Sequence, residues 1–305
     1  MSAVTGPAIE VVNLAKRYGR TEALAGLTMN VERGEVFGFL GPNGAGKTTA
    51  IKLFLGLARP SGGHANVLGA PAGDVATRAR MGYLPELFRY QGFLRAREVL
   101  ELHCRLAHVP GPARRAAIGA SLELVGLADR AEDLVGGFSK GMQQRLGLAV
   151  ALLGRPDLVL LDEPTSALDP LGRADVRRIV REVADRGTTV FLDSHLLTEV
   201  ERVCDRVAII DRGRVVAGGR LSDLLGADGV RIRATGLSAD AMAALRSFGS
   251  PLIDDDWLTI RPLADERVPD VVAAIVAAGG RVHAVEPGGQ TLEDLFVGIV
   301  REARR

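Results

Sequence analysis

Lys47 and Thr48 follow Gly41-Pro42-Asn43-Gly44-Ala45-Gly46, and together they complete the spacing G-x-x-x-x-G-K-T. Residues of these types in this order are suited to holding a polyphosphate. Glycines let backbone N–H groups close around an anion at a helix N-terminus, where the macrodipole also favours negative charge. Lys47 adds a point charge for the β- and γ-phosphates, the Thr48 hydroxyl is suited to ligate Mg²⁺, and Thr49 leads into the helix. The context agrees. Val36–Leu40 before the loop is a largely apolar run of buried-strand type, and Thr49–Leu57 after it carries Ile51, Leu53, Phe54, Leu55 and Leu57 over a helical length. A plain glycine-rich turn before a helix is the alternative, but every fixed position is filled in a strand–loop–helix setting.

A second constellation lies at Leu158-Val-Leu-Leu-Asp162-Glu163-Pro164. An apolar strand ending in Asp162 delivers a carboxylate that can hold Mg²⁺ directly or through water. Glu163, the next residue, is placed to orient or deprotonate an attacking water. Two adjacent carboxylates at a strand end also describe a solvated turn, so the upstream phosphate loop decides between the readings. Asp193, Ser194 and His195 are consecutive, so in an extended chain their side chains alternate faces and make no Ser-His-Asp triad.

These residues need a scaffold. Ile9–Leu14, Leu27–Val31, His64–Leu68, Met81–Leu84, Leu158–Leu161, Thr188–Leu192 and Val207–Asp211 read as strands. Asp211-Arg-Gly-Arg214 is a tight hairpin into Val215-Val216. From Glu86 to about Gly136 the texture is helical, with one helix over Arg97–Ala107 and another starting at Pro112. Gly141–Leu153 is a further helix. Asp169 and Pro170 open a long amphipathic one with Leu171, Val176, Ile179, Val180 and Val183 inward. After about Gly226 the pattern resets. Val230–Ala234, Trp257–Arg261 and Arg281–Val285 read as strands, and Ser238 caps a helix to Phe248. Asp265–Ala278 forms a helix with Val268, Val271, Val272, Ile275 and Val276 inward, and Thr291 opens the last one with a T-x-x-D capping pattern.

Composition bounds the partners. The formal net charge is +1, from 38 basic and 37 acidic residues in 305, which gives no basic stripe for nucleic acid. Cys104 and Cys204 stand alone, without metal or disulfide spacing, as in a reducing cytosol. Met1–Glu10 has no basic and apolar regions of a signal peptide. The longest apolar stretches, Leu146–Gly154 and Val271–Gly280, fall short of the roughly 20 residues that span a bilayer.

Phe138-Ser-Lys-Gly-Met-Gln-Gln-Arg145, about two dozen residues before Asp162, resembles the signature motif of ABC-type ATPases. Over roughly residues 8 to 225 further matches follow in order. Tyr18 in Lys16-Arg-Tyr-Gly19 resembles the aromatic that stacks on adenine. Tyr83-Leu-Pro-Glu86 sits where the family has its glutamine-bearing loop, Ser166-Ala-Leu-Asp169 resembles the loop that contacts the other subunit, and His195 resembles the switch histidine on the γ-phosphate. Tyr18 also reads as an ordinary surface tyrosine, and Asp169 as a helix N-cap.

The resemblance implies an α/β fold. It would comprise a phosphate-loop, RecA-like ABC ATPase core over residues 1–226, with an antiparallel β subdomain and a helical insert at about 86–150. Residues 227–305 would form a small α+β appendage. It implies ATP and Mg²⁺ as cofactors, with Glu163, His195 and Lys47 catalytic and Thr48, Asp162 and Glu86 towards the metal. Gly41–Thr49, Tyr18, Ser139 and Gly141 would hold nucleotide. It also implies an ATP-sandwich homodimer or heterodimer with a second ABC ATPase subunit, and a separate integral membrane permease. The chain would then sit in the cytoplasm, peripheral on the membrane, and power export of a drug or antibiotic class of cargo.

Two motifs depart from the family pattern. Glu86 replaces the usual glutamine, so its charge opposes phosphate although it can still ligate Mg²⁺. Lys140 and Met142 replace a glycine and a glutamine of the signature, while Ser139 and Gly141 remain. A soluble ABC-type ATPase acting on ribosomes or DNA is the alternative function. Long heptad arms, a second cassette and a basic surface are all missing for it. A protein with a dead site is disfavoured by the presence of Lys47, Asp162, Glu163 and His195.

Overall fold

The fold is described from a computed structural model, for residues 6–166, 168–225, 229–254, 256–288 and 291–302. The described residues group into two compact units, one running to Gly219 and resuming at Ile299, the other Arg220–Gly298. The expected boundary at residues 226 and 227 lies outside the described residues, as does Ala167 in the loop before Asp169.

The first unit opens with β1 (Ile9–Tyr18), β2 (Thr21–Val31), β3 (Val36–Leu40) and helix α1 (Lys47–Phe54). After β4 (Gly62–Val67), the short β5 (Ala70–Pro71) and the one-turn α2 (Val75–Arg78) comes β6 (Met81–Leu84). The helical segment expected from Glu86 holds α3 (Ala96–Leu106), α4 (Gly111–Leu124) and two 3-10 turns before α5 (Lys140–Ala151). Then follow β7 (Leu158–Asp162), α6 (Pro170–Asp185), β8 (Thr189–Asp193), α7 (Leu197–Val203), β9 (Arg206–Asp211) and β10 (Arg214–Arg220).

Two sheets form. The antiparallel one has the order β2-β1-β4-β5, and the larger has the order β10-β9-β3-β8-β7-β6. From β9 to β6 every neighbour is parallel. Strands β3, β7 and β8 are buried at every position, as strands covered on both faces must be. Phe191 of β8 anchors the core, with Phe37, Phe39 and Phe54 around it at ring centroid distances of 5.9, 5.1 and 5.7 Å.

Close approach of helix to sheet is set by missing side chains. A Cβ on Gly38 of β3 would lie 2.8 Å from Val200 Cγ1, so glycine lets α7 seat against the strand. On β6, a Cβ at Gly82 would lie 1.8 Å from the Ala151 carbonyl oxygen, so α5 and β6 meet backbone to backbone.

The second unit contains α8 (Leu221–Leu225), β11 (Val230–Thr235), α9 (Ala239–Leu245), β12 (Ser250–Asp254), β13 (Trp257–Arg261), α10 (Val268–Ala277), β14 (Arg281–Pro287) and the greater part of α11 (Leu292–Glu302). Its antiparallel sheet has the order β12-β13-β11-β14, the βαββαβ arrangement of a split βαβ motif. Leu245 of α9 and Val271 and Ile275 of α10 pack with Val230, Ile232, Leu258 and Ile260 as a separate core. Ser238 caps α9, and Thr291 and Asp294 exchange capping hydrogen bonds at the start of α11.

Several expectations need correction. Leu171 is 78% exposed rather than inward. It precedes Val176 by five residues, which is about 140° round a helix, off the buried stripe of α6. Val276 is 56% exposed because it follows the fully buried Ile275 by one residue, about 100° round α10. β1 and β2 run further than their apolar patterns, because a bulge between Val11 and Leu14 breaks the alternation. β12 is an edge strand disguised by Pro251, which such a position tolerates.

The Gly82 contact yields an expectation. Gly82→Ala forces α5 away from β6 and costs about 1–3 kcal/mol of stability, at the scale of overpacked cores. Denaturant unfolding followed by circular dichroism measures it, and an unchanged midpoint would contradict the backbone contact.

Candidate functional site

The site is built where β3, β7 and β8 end together. Parallel pairing puts Phe39 level with Asp193 and Asp162 level with Asp193, so the loops leaving these strands emerge on one edge.

The loop after β3 turns between Pro42 and Ala45, where Ala45 N–H donates to the Pro42 carbonyl at 3.1 Å. Gly41 has no room for a side chain, because a Cβ would lie 2.4 Å from the Ile210 carbonyl oxygen. Gly46, at φ 109°, is the N-cap of α1, and a Cβ there would lie 2.5 Å from the Ala23 carbonyl oxygen. Both its dihedral and its neighbour therefore require glycine. By contrast, Gly44 at φ 81° faces nothing within 4 Å, and Asn43, Gly44 and Thr48 are exposed. No side chain caps α1, so its first N–H groups are left for an anion. Lys47 Nζ donates to the Gly41 carbonyl at 2.9 Å and lies 4.0 Å from Asp193 Oδ1.

Three carboxylates converge on this loop. Asp162 and Asp193 are buried at the ends of adjacent strands. Burial first, then repulsion from Glu86 and Glu163, push Asp162 up to about 6. Burial pushes Asp193 up to about 8, with Lys47 opposing and Asp162, Glu163 and Glu86 adding to the rise. Glu163 is the third. It holds φ 54°, a left-handed conformation that a residue with a Cβ rarely adopts. Its N–H donates to the Asp193 carbonyl at 2.9 Å, and Oε1 accepts the His195 N–H at 2.9 Å. Oε2 lies 2.7 Å from His195 Nδ1, while the imidazole as a whole is 60% exposed. Glu163 and His195 are thus locked together beside Asp162.

Other expected site residues make no hydrogen bond to this group among the described residues. Tyr18 is 48% exposed, with Lys16 Nζ 4.7 Å from its ring centroid. Glu86 is exposed, and its charge reaches Asp162 and Asp193. Ser139 caps α5, accepting the Met142 N–H at 3.2 Å, and Gly141 packs towards Leu168. Among the described residues neither Ser139 nor Gly141 bonds to the phosphate loop. Asp169 accepts the Gly172 N–H at 2.9 Å, so its N-cap reading holds.

The residues present fit a magnesium nucleotide. Asp193 Oδ1 is buried without a hydrogen-bond partner, next to a lysine and an open glycine loop. Among the described residues no group of three or more His, Cys, Asp and Glu side chains can hold a metal alone. Mg²⁺ is usually bound through one or two carboxylates together with substrate phosphates, and Asp162 and Asp193 end adjacent strands here.

Asp193 is the site residue missed as a participant. Its signal was present, since Val190-Phe-Leu-Asp193 repeats the apolar run ending in aspartate of Leu158–Asp162.

Comparison with known proteins accords with this geometry. Residues 24–166 match the family model described as ABC transporter. An uncharacterized ABC transporter ATP-binding protein of Nostoc sp. is 39% identical over 92% of this chain and 84% of its own length. The daunorubicin resistance ATP-binding protein DrrA3 of Streptomyces coeruleorubidus is 38% identical over 98% of this chain and 97% of its own. A solved ATP-binding subunit of an ABC transporter superposes with a TM-score of 0.66 and 32% identity, covering 71% of this chain and 91% of that one. These similarities favour a transporter subunit over an ATPase of ribosomes or DNA.

The raised Asp193 gives a pH test in the absence of nucleotide and metal. A carboxyl raised by folding contributes its stability fully below its unfolded value of 3.8 and loses it as pH climbs through about 8. Asp193→Asn, which cannot ionise, removes that loss. The melting temperature of the variant should exceed the parent's by a margin that grows from pH 4 towards pH 8 (about these limits). A margin that shrinks over this range in thermal scans would contradict burial as the cause.

Proposed function

The chain belongs to the ATP-binding subunits of ABC transporters, of the exporter type, and it binds and hydrolyses ATP; from that premise we propose a role for each residue of the site. The observation that carries the reading is the Glu163–His195 clamp, next to Asp162 in the chain and with the imidazole exposed. Glu163 is the general base that takes a proton from the attacking water. Its left-handed backbone and its contacts to Asp193 and His195 fix the carboxylate before substrate arrives, which limits reorganisation during the reaction. His195, with its exposed ring, reaches the γ-phosphate and couples it to Glu163.

Lys47 exchanges its bond to the Gly41 carbonyl for the phosphates, and the N–H groups of Gly44–Thr49 surround them. Bound Mg²⁺ supplies charge neutralisation on the phosphates. Thr48 and Asp162 would hold it, with Glu86 as a further carboxylate from the loop after β6. Tyr18 stacks on the adenine.

Among the described residues Ser139 and Gly141 make no hydrogen bond to the phosphate loop of their own chain, and we assign them to the nucleotide of a second subunit. Two subunits, identical or related, then close around ATP with two-fold symmetry. None of the described helices is long and apolar enough to cross a membrane; the partner in the export step is a separate integral membrane permease, a role that the exporter relatives support. The chain would work in the cytoplasm, bound to that permease at the membrane. The daunorubicin resistance relative supports a drug or antibiotic as cargo.

Two experiments check this reading. Glu163→Gln should keep Mg²⁺-ATP binding, lose roughly 10²–10⁴-fold in turnover and run as a dimer on size exclusion. A monomer in saturating Mg²⁺-ATP would count against the sandwich. Co-expression with a polytopic membrane permease from the same gene neighbourhood should carry the chain into the membrane fraction and raise its ATPase rate. Copurification with ribosomes or DNA instead would reverse the assignment.

A further inference from the structure

Two residues that depart from their motifs carry opposite charges, Lys140 in the signature and Glu86 after β6. Both are exposed, and neither makes a hydrogen bond or ion pair among the described residues. Each sits badly by itself. Lys140 is the first residue of α5, which has no acidic residue in its first turn, so a cation faces the positive end of the helix dipole without compensation. The cap does not need it, since Ser139 Oγ already accepts the Met142 N–H. Glu86 adds negative charge to an edge that already carries Asp162 and Glu163, with Asp193 beside Lys47. One chain therefore presents surplus negative charge at the phosphate loop and an unpaired cation at the start of α5.

The two do not meet within a chain. α5 packs against the segment after β6 at Gly147, where a Cβ would lie 2.5 Å from Phe88 Cζ. Gly147 is seven residues beyond Lys140, about 10 Å along the helix.

We propose that Lys140 of one subunit pairs with Glu86 of a second copy at each nucleotide site, so that the two departures together select this chain as its own partner. The inference rests on the ATP sandwich proposed above. An ATPase subunit with a neutral residue at both positions would leave Glu86 of this chain without its cation, which makes the pair a device for partner choice as well as for closure.

The test uses the full-length Glu163→Gln protein in Mg²⁺-ATP, with dimerisation read by analytical ultracentrifugation. Adding Glu86→Lys or Lys140→Glu should each weaken the dimer about ten-fold or more, because like charges then face each other at both sites. An equal mixture of the two reversed proteins should recover the dimer as one copy of each, identified by native mass spectrometry. In that assembly every site again holds one lysine and one glutamate. Contact within a chain would not be repaired by mixing, so an unrestored mixture overturns the proposal, as do single reversals that dimerise like the parent. The milder cycle of Glu86→Gln, Lys140→Ala and their combination gives a second readout. A combined loss no larger than either single loss supports the pair, and additive losses overturn it. If the Glu163→Gln parent itself stays monomeric, the sandwich fails and takes the pair with it; if the parent dimerises and only the mixing and the cycle fail, the sandwich stands without the pair.

Discussion

The parallel pairing of β7 with β8 is the constraint on which the site depends. It sets Asp162 and Asp193 side by side at the end of two buried strands, where neither carboxylate has water enough to ionise comfortably. Register decides this arrangement. A slip by one residue would turn every side chain to the opposite face and separate the acids from Lys47. Burial of both strands at every position makes such a slip costly, so the core that stabilises the fold also enforces an electrostatic strain at its edge. The strain is of the kind that a divalent cation and a polyphosphate with its counter-charges relieve together.

Around that edge the backbone is placed with little tolerance, and glycine is the means. Gly41 lies against the Ile210 carbonyl, Gly46 against the Ala23 carbonyl, and Gly38 lets α7 reach β3. These contacts tie the phosphate loop to β9, to the antiparallel sheet and to the helix that follows His195. Glu163 adds a different form of constraint. Its positive φ is unfavourable by itself, and the hydrogen bonds to Asp193 and His195 over-determine it. The arrangement is fixed in advance where chemistry requires it, whereas the Tyr18 and Glu86 side chains at the periphery are open to solvent.

Much of this was legible because the informative residues are local. The phosphate loop announces itself through spacing, and β3, β6 and β7 through short apolar runs bounded by turns. Helices α3 to α6 were placed to within a few residues, α4 by Pro112 at its first turn and α6 by Asp169 and Pro170 at its start. What the pattern concealed was long-range. The bulge at Val11–Leu14 hid the length of β1, Pro251 hid an edge strand, and Leu171 looked like part of a stripe that in fact runs through Gly172 and Val176. Asp193 carries the same local signal as Asp162, but its meaning comes from the neighbouring strand in the sheet. No single segment states which strands will be neighbours.

The same distinction separates the two units. In the first, β7 and β8 end in Asp162 and Asp193, and β3 ends at the phosphate loop. In the second, the strands alternate. Val230, Ile232, Leu258 and Ile260 turn to the helices, while Arg231 and Arg233 lie over the ring of Trp257 on the other side of the sheet. Such alternation is what an antiparallel sheet with one covered face produces, and it needs no site to explain it. A sheet covered on both faces leaves its polar groups only at the strand ends, and in this chain that is where the carboxylates collect. The location of the chemistry is therefore a consequence of burial: the strands that hold the core together have no other position at which to carry a charge.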